Sequence, residues 1–568
     1  MHGRVKTRST AEQQEVKRKE REKKVKLYKA GVEKLFQKRD GNCFDNEVLE
    51  ISAQLLCANP DIYTVWNIRR QVILYFKTEK SSEDFQLLLE NELPLTEQCL
   101  RANPKSYCAW HHRSWVLDTM PVPNWKRELA LCNKYLELDE RNFHTWDYRR
   151  YIVTRAQVPA EDEFIFSTQK ISTNFSNYSS WHYRSRLLPS LFPDPLNKRP
   201  IREDKHKEEL SLVQNATFTD PNDQSAWFYQ RWLLGRAHQS LLLVQAFVSE
   251  QLTFAVLNKS VRLDKSNLSL QLFISNNPIK GSWKPCGCNV DSHVWIFVPE
   301  NQISSGSLTS GSLEVTLHHQ NKQIDQLNLH IKGPGVEAWG SKKPQFDAQF
   351  SQGLTSVLET ELDSYHQLLD LEPDSKWTLL TIVLLMQAID RHLYKDDTMQ
   401  KIGQLKKIDS LRSGYYEDLR SRYEIEYFLD NQEKDGLSHP ACVEVKLSGY
   451  NLSALYHLHY LSLMQQVNLS CNQLTDRSLP QLHALQCCQV LILDENLLES
   501  LNGMPSLTSL LSLSLKNNRI STKDNLKHLV MCQNLNSVHL SGNTVANDAD
   551  LEVYLKGLLP KLKTEEVI

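Results

Sequence analysis

At 568 residues, with 40% apolar and 24% charged residues, the chain has a globular composition and is too long for a single hydrophobic core. Its formal net charge of −2 excludes a global bias toward nucleic acid or membrane surfaces. No apolar run of about 20 residues is present to span a bilayer, and twelve scattered cysteines without a signal peptide read as reduced thiols of a cytoplasmic protein.

Residues 1–40 are locally basic, with 14 Lys/Arg against 6 Asp/Glu. Val25, Tyr28, Val32 and Phe36 recur there at helical spacing, which predicts a solvated helix docking one apolar stripe. A nuclear-localisation or RNA-binding patch is the sharper alternative. Five Trp-centred repeats follow, at Trp66, Trp110, Trp146, Trp181 and Trp227, with steps of 44, 36, 35 and 46. Arg69, Arg113, Arg149 and Arg184 stand three residues after four of them, and Arg231 stands four after the fifth. Asn59-Pro60, Asn103-Pro104, Asp139 to Asn142, Asn174 to Asn177 and Asp220-Pro221-Asn222 read as helix-entry signals before each Trp. Each repeat is therefore predicted as helix, polar turn, helix, stacked into an α-α solenoid. The Trp fills the space between helices, and the Arg on the same helix face is suited to forked pairing with carboxylates or carbonyls. The Trp and Arg residues are thus expected to be structural.

From 240 to 352 the pattern becomes alternating: Leu268, Leu270, Leu272, Ile274; Leu313, Val315, Leu317; Leu327, Leu329, Ile331. Turn signals separate these runs, which predicts an inserted immunoglobulin-like β-sandwich. Helical pattern resumes over 353–440, where Glu372-Pro373 precedes Trp377 in what reads as a sixth, degenerate repeat without its Arg. Residues 441–568 carry five leucine-rich repeats, such as Val467-x-Leu469-x-x-Asn472-x-Leu474, in steps of 22–25 residues. Their asparagines are expected to satisfy buried backbone groups inside each coil; Tyr450 stands in the Asn place of the first.

Self-contained chemistry is scarce. Gly335 to Lys342 has P-loop glycine spacing but Ser341-Lys342 where Lys-Ser/Thr is needed. Cys286-Gly287-Cys288 lacks the second pair of a zinc module, and His111-His112 and His457-x-His459 read as surface or core histidines. Asn177 and Asn174 match the glycosylation pattern only by chance in a cytoplasmic protein. Gly3 is one position late for myristoylation, and the last residues hold no Cys to be prenylated. One segment stands apart, Asn103-Pro104-Lys105-Ser106-Tyr107-Cys108-Ala109-Trp110-His111-His112-Arg113. Lys105 and Tyr107 lie at a helix entry, where free N–H groups and the dipole attract anions. Lys105 there either receives a phosphate or is simply solvated.

That segment, with the Asn-Pro…Trp-x-x-Arg repeats around it, resembles the α subunits of protein prenyltransferases. The added β domain and leucine-rich end make the chain similar to the Rab geranylgeranyl transferase branch, over nearly its whole length. The displaced Arg231, the missing sixth Arg and Tyr450 are the departures. The resemblance implies a heterodimer whose β subunit, an α–α barrel, carries the zinc and the lipid pocket. It implies transfer of geranylgeranyl from geranylgeranyl diphosphate to C-terminal cysteines of Rab GTPases presented by an escort protein, and leaves magnesium open. It places Lys105 beside the diphosphate and Tyr107 at the subunit interface. No metal is expected on this chain itself, although His2, next to the N-terminus, is a candidate visitor to the partner's zinc. The alternative reading is a non-catalytic helical-repeat and leucine-rich adaptor; repeat steps of 35–46 residues already separate the chain from a regular 34-residue scaffold.

Overall fold

The structure is a computed structural model and describes residues 11–195, 201–234, 240–263, 267–287, 290–303, 312–332, 337–346, 355–432 and 444–563. Helix α1 (Ala11–Asp40) buries Leu35, with Tyr28, Val32 and Phe36 packed around the same cluster, while Val25 stays exposed. Its earlier turns are solvated and laced by ion pairs such as Arg18 with Glu15 and Glu22.

Five helix pairs follow: α2 (Asn46–Ala58) with α3 (Tyr63–Glu79), α4 (Ser82–Ala102) with α5 (Tyr107–Thr119), α6 (Trp125–Leu138) with α7 (Phe143–Ala156), α8 (Ala160–Thr173) with α9 (Tyr178–Leu191), and α10 (Glu203–Thr219) with α11 (Gln224–Leu234). Each repeat Trp is the fourth residue of a second helix and is buried. A buried indole N–H needs an acceptor. Trp66, Trp110, Trp146 and Trp181 find it in the carbonyl six residues earlier, at 2.6–2.9 Å. The turn asparagines act differently from the expected N-caps. Asn59, Asn103, Asp139 and Asn174 follow the first helix and accept the N–H two residues on, closing Asx turns. The N-caps proper are Ser106, Asn142 and Asn177. Each of these also reaches back one repeat, to the carbonyls of Pro60, Pro104 and Glu140.

The arginines form a buried ladder. Arg69, Arg113, Arg149 and Arg184 each donate two parallel bonds, at 2.6–2.8 Å, to Glu92, Glu128, Glu163 and Glu209 on the next repeat's first helix. The residue two after the next Trp completes each rung: Tyr148, Tyr183 and Tyr229 donate to Glu128, Glu163 and Glu209, and His112 meets Glu92. Behind the fork, Arg113 also donates to the Leu93 carbonyl and Thr96 hydroxyl of α4. One guanidinium thus joins three helices with its donors satisfied. The fifth repeat departs. Gln230, buried, holds the place three after Trp227, while Arg231 stands four after its Trp as Arg70 and Arg150 do. The Arg231 guanidinium lies 5.9 Å above the Trp377 ring.

The chain divides into two compact units, Met1–Thr217 with Asp223–Gln230, and Phe218–Asn222 with Arg231–Ile568. In the second, strands β1 (Leu243–Ser249), β2 (Thr253–Val261), β3 (Leu268–Ile274), β4 (Asn277–Pro278), β5 (Gly281–Pro285), β6 (Ser292–Pro299), β7 (Leu313–His319), β8 (Lys322–Lys332) and β9 (Glu337–Ser341) form one antiparallel sheet in the order β4-β3-β7-β8-β9-β1-β2-β6-β5. Strand β8 pairs with β7 up to Leu329 and with β9 from His330 onward. The sheet therefore curls, and Leu257 and Trp295 of one arm share a core with Leu272 and Val315 of the other. Phe254, Val256 and Val294 belong instead to the core of the C-terminal coils.

Four helices follow the sheet: α12 (Thr355–Leu371), α13 (Lys376–Asp390), α14 (Lys395–Ile408) and α15 (Ser413–Gln432). Trp377 is the second residue of α13 and only partly buried; Leu379, fully buried, takes the fourth place that Trp holds in the other repeats. Ser375 caps this helix and donates to the Pro221 carbonyl, repeating the backward link of the earlier caps. The chain then winds into five short parallel strands, β10 (Glu444–Lys446), β11 (Gln466–Asn468), β12 (Val490–Ile492), β13 (Ser512–Ser514) and β14 (Ser537–His539). Asn472, Asn496, Asn518 and Asn543 lie buried between coils, each donating to carbonyls of its own and the preceding coil and accepting one N–H. The residue before each is left-handed, and at Gly542 the Asn517 side chain leaves no room for a Cβ. Tyr450 packs on Phe428 of α15 in place of an asparagine bond. Among the described residues no helix is long and apolar enough to cross a membrane.

The ladder sets a stability prediction. Glu128→Ala strands the fully buried Arg113 guanidinium and is expected to cost ~3–5 kcal/mol, whereas Tyr148→Phe removes one hydrogen bond and costs about 1 kcal/mol. Urea unfolding of the two variants against wild type measures both.

Candidate functional site

The entry turns of the second helices share one edge of the repeats. The first residues of α3, α5, α7 and α9 are Tyr63, Tyr107, Phe143 and Tyr178, and all four are exposed, by 70%, 69%, 51% and 52%. This aromatic row lies three residues before the buried Trp row, so one helical turn serves both the surface and the core. Just ahead of it, equivalent turn positions carry Asp61, Lys105, Arg141, Ser176 and Asn222. Lys105 is exposed, with its backbone N–H fixed to the Asn103 side chain at 3.1 Å, and it makes no ion pair among the described residues. Tyr107 sets its ring against the edge of His144, at 4.3 Å, and lies 6.3 Å from Phe143. Burial lowers the His144 pKa; Asp147 opposes this and Lys105 adds to it. The two residues singled out from sequence thus lie together, on the α5 entry, against the entry of α7.

One turn further along α5, His111 and His112 take two different positions. The His111 Nδ1 lies 2.9 Å from Arg70 Nη2, on the surface. His112 is fully buried and completes the Glu92 rung, where the other rungs use Tyr. Arg70 Nε donates to His112 Nδ1 at 3.3 Å, so the ring proton belongs on Nε2, facing Glu92. The Trp66 and Trp115 rings lie 4.3 and 5.4 Å from this imidazole. Burial pushes the His112 pKa down, against the pull of Glu92, to about 4. Burial alone would raise the Glu92 carboxyl, but His112 and Arg69 hold it at about 2.

Chemically, the edge offers a lysine ammonium at a helix entry, which suits an anion, and an aromatic row, which suits a protein surface. Among the described residues no group of three or more His, Cys, Asp or Glu is arranged to hold a metal ion. His2, Cys288, Gly335 and Val336 lie outside the described residues. The ladder glutamates, His144 and Arg70 were not singled out from sequence. An aromatic three before Trp66, Trp110, Trp146 and Trp181 was the available signal for the row, and a Tyr or His two after Trp110, Trp146, Trp181 and Trp227 was the signal for the rungs.

Comparison with known proteins bears on the same repeats. The pattern described as protein prenyltransferase alpha subunit repeat matches residues 45–76, 89–120, 125–156, 160–191 and 206–237, one helix pair each. The chain is 41% identical over 575 residues to geranylgeranyl transferase type-2 subunit alpha of Sus scrofa, covering 99% of this chain and 100% of that one. This chain belongs to the geranylgeranyl transferase type-2 α-subunit family. The human relative of that name is 41% identical over 571 residues, again 99% of this chain and 100% of its own. The relative from Dictyostelium discoideum is 39% identical over 237 residues, which is 41% of this chain and 75% of that one. Family membership makes the chain a subunit of a prenyltransferase, with its α-subunit repeats in the first compact unit and reaching the start of the second.

The His112 rung sets a pH prediction. Unfolded, this imidazole titrates near 6.5; folded, near 4, so above pH 6.5 both states are neutral and the rung is intact. As pH falls from 6.5 toward 4 the unfolded state gains a proton that the folded state refuses, and about 3 kcal/mol is progressively lost. The urea midpoint of the wild type is expected to fall more steeply over this window than that of His112→Tyr, which installs the hydroxyl of the other rungs.

Proposed function

We propose that this chain is the α half of a heterodimeric Rab geranylgeranyl transferase. The holoenzyme moves geranylgeranyl from its diphosphate to C-terminal cysteines of Rab GTPases that an escort protein presents. The observation that carries this reading is the 41% identity running through the full length of both chains, coils and curled sheet included. The zinc and the lipid pocket belong to the β subunit on this reading. Zinc there would lower the pKa of the substrate thiol that attacks the lipid, and the departing diphosphate would need cations where its charge develops. Lys105 supplies one such cation from the α5 entry, and Tyr107 lies at the subunit interface beside it. The exposed aromatic row supports this role for the edge, because four aromatic side chains in register suit a protein surface better than water.

The domain division follows the same reading: residues 1–239 and 353–440 as prenyltransferase helical repeats, 240–352 as an immunoglobulin-like β-sandwich, and 441–568 as leucine-rich repeats. The curl of the antiparallel sheet around one core supports the sandwich. Asparagines repeating at 22–25 residues between parallel strands support the leucine-rich assignment. The Dictyostelium relative matches over less than half of this chain, which yet takes in three quarters of its own length. A protein of the same name is therefore far shorter than this chain, which favours binding rather than transfer as the work of the added parts.

Co-expression with a β subunit, followed by lipid transfer to a Rab–escort complex, tests the reading. Lys105→Ala is expected to leave pairing intact and slow turnover by about tenfold or more at saturating lipid diphosphate. Unchanged turnover would make Lys105 a solvated surface residue. Stable pairing with no transfer by the wild type would favour the adaptor scaffold.

A further inference from the structure

Arg70 is a half-buried cation without a counter-ion among the described residues. It sits on α3, one residue after the ladder Arg69, with its guanidinium bound to His111 Nδ1, His112 Nδ1 and, at 3.4 Å, the Asn67 amide oxygen, over the Trp115 ring. Among the described residues no carboxylate lies within ion-pair distance of it. Burial accordingly lowers its pKa. The repeats contain their own control. Arg150 holds the same position on α7 and pairs with Asp147, three residues earlier. In α3 that earlier position is Asn67, a neutral amide. A guanidinium taken partly out of water without an anion is a net cost, which an arriving carboxylate removes.

The surroundings say what kind of anion. His111 accepts from Arg70 through Nδ1, so its proton is on Nε2, which makes no hydrogen bond among the described residues. A carboxylate seated here would meet the Arg70 fork and the His111 Nε2–H together. Tyr63 lies two helical turns before Arg70, and Tyr107 one turn before His111, both strongly exposed. They continue as Phe143 and Tyr178 across two further repeats, a row too long for a small ligand. Exposed aromatics around a cation are the composition of a protein–protein contact.

We infer that Arg70 and His111 form the receiving half of an ion pair with an Asp or Glu side chain of the β subunit. The inference rests on the reading of the chain as half of a heterodimer, and it names the anchor. Asn67 then serves a purpose: a neutral side chain at this position leaves Arg70 available to the partner.

Titration of the full-length chain with the β subunit, at two salt concentrations, tests this with three variants. Arg70→Gln is expected to raise Kd by about tenfold or more and to flatten its salt dependence. Arg70→Lys, which keeps the charge and loses the fork, falls between. Asn67→Asp is the decisive one, because it gives Arg70 the internal counter-ion of α7. It should weaken pairing several-fold while leaving the thermal stability of the free chain equal or higher. Pairing unchanged in both Arg70→Gln and Asn67→Asp would overturn the inference. So would unchanged pairing with a raised KM for the protein substrate, which would put the carboxylate on the substrate. Failure of the wild-type chain to bind the β subunit at all would instead strike the heterodimer reading itself.

Discussion

The first unit depends on one interaction, the forked pair between a buried arginine and a buried glutamate of the next repeat. Such a pair is a poor source of stability unless nearly every donor and lone pair is used. Here they are used. Glu128 takes two bonds from Arg113 and one from Tyr148, and the third arginine nitrogen is spent on the helix behind. Because a single carboxylate is held by two successive repeats, the repeats cannot slide or rotate against each other without stranding a charge. Tryptophan packing supplies the area; the rungs supply the register.

The edge chemistry follows from that register. The turns that carry Lys105 and Arg141 are tied together by the Asn142 side chain on the Pro104 carbonyl. Each turn is closed internally by an Asx bond and covered by the indole N–H of the Trp that follows. The backbone at the edge is therefore fixed from two sides, and Lys105 and Tyr107 project from a frame that does not need a ligand to form. The Glu92 rung is the one that uses histidine, and that substitution couples the buried ladder to half-buried Arg70 through one imidazole.

Much of this was legible in the sequence, for identifiable reasons. Trp, Asn and Arg repeat at nearly constant offsets within each unit, so the helix pairs, the coil asparagines and the Lys105 turn could be read directly. The acid partners could not. Glu92, Glu128, Glu163 and Glu209 follow their arginines by 23, 15, 14 and 25 residues, because both the helices and the connections between them differ in length from repeat to repeat. Asn59 and Asn103 looked like N-caps because Asn favours both caps and Asx turns; only the backbone path separates the two uses. Trp377 misled by identity, since Leu379 holds the structural place two residues later. The alternation over 240–352 revealed strands but not that β8 would bend and belong to both arms of a curled sheet.

Gln230 stands where four repeats carry the ladder arginine, and a neutral amide has no fork to offer a carboxylate on a following helix. Among the described residues the forked arginine rungs end at Glu209, which Arg184 and Tyr229 both hold. It is at this point that the polypeptide leaves the helical pattern for the curled sheet, returning to it at α12. Seen as genetic architecture, the array has a seam: the chain leaves its helical pattern after the last arginine fork, not within the ladder. A long excursion adds little in loop-closure entropy, so a domain added at this seam leaves the four arginine forks before it in place.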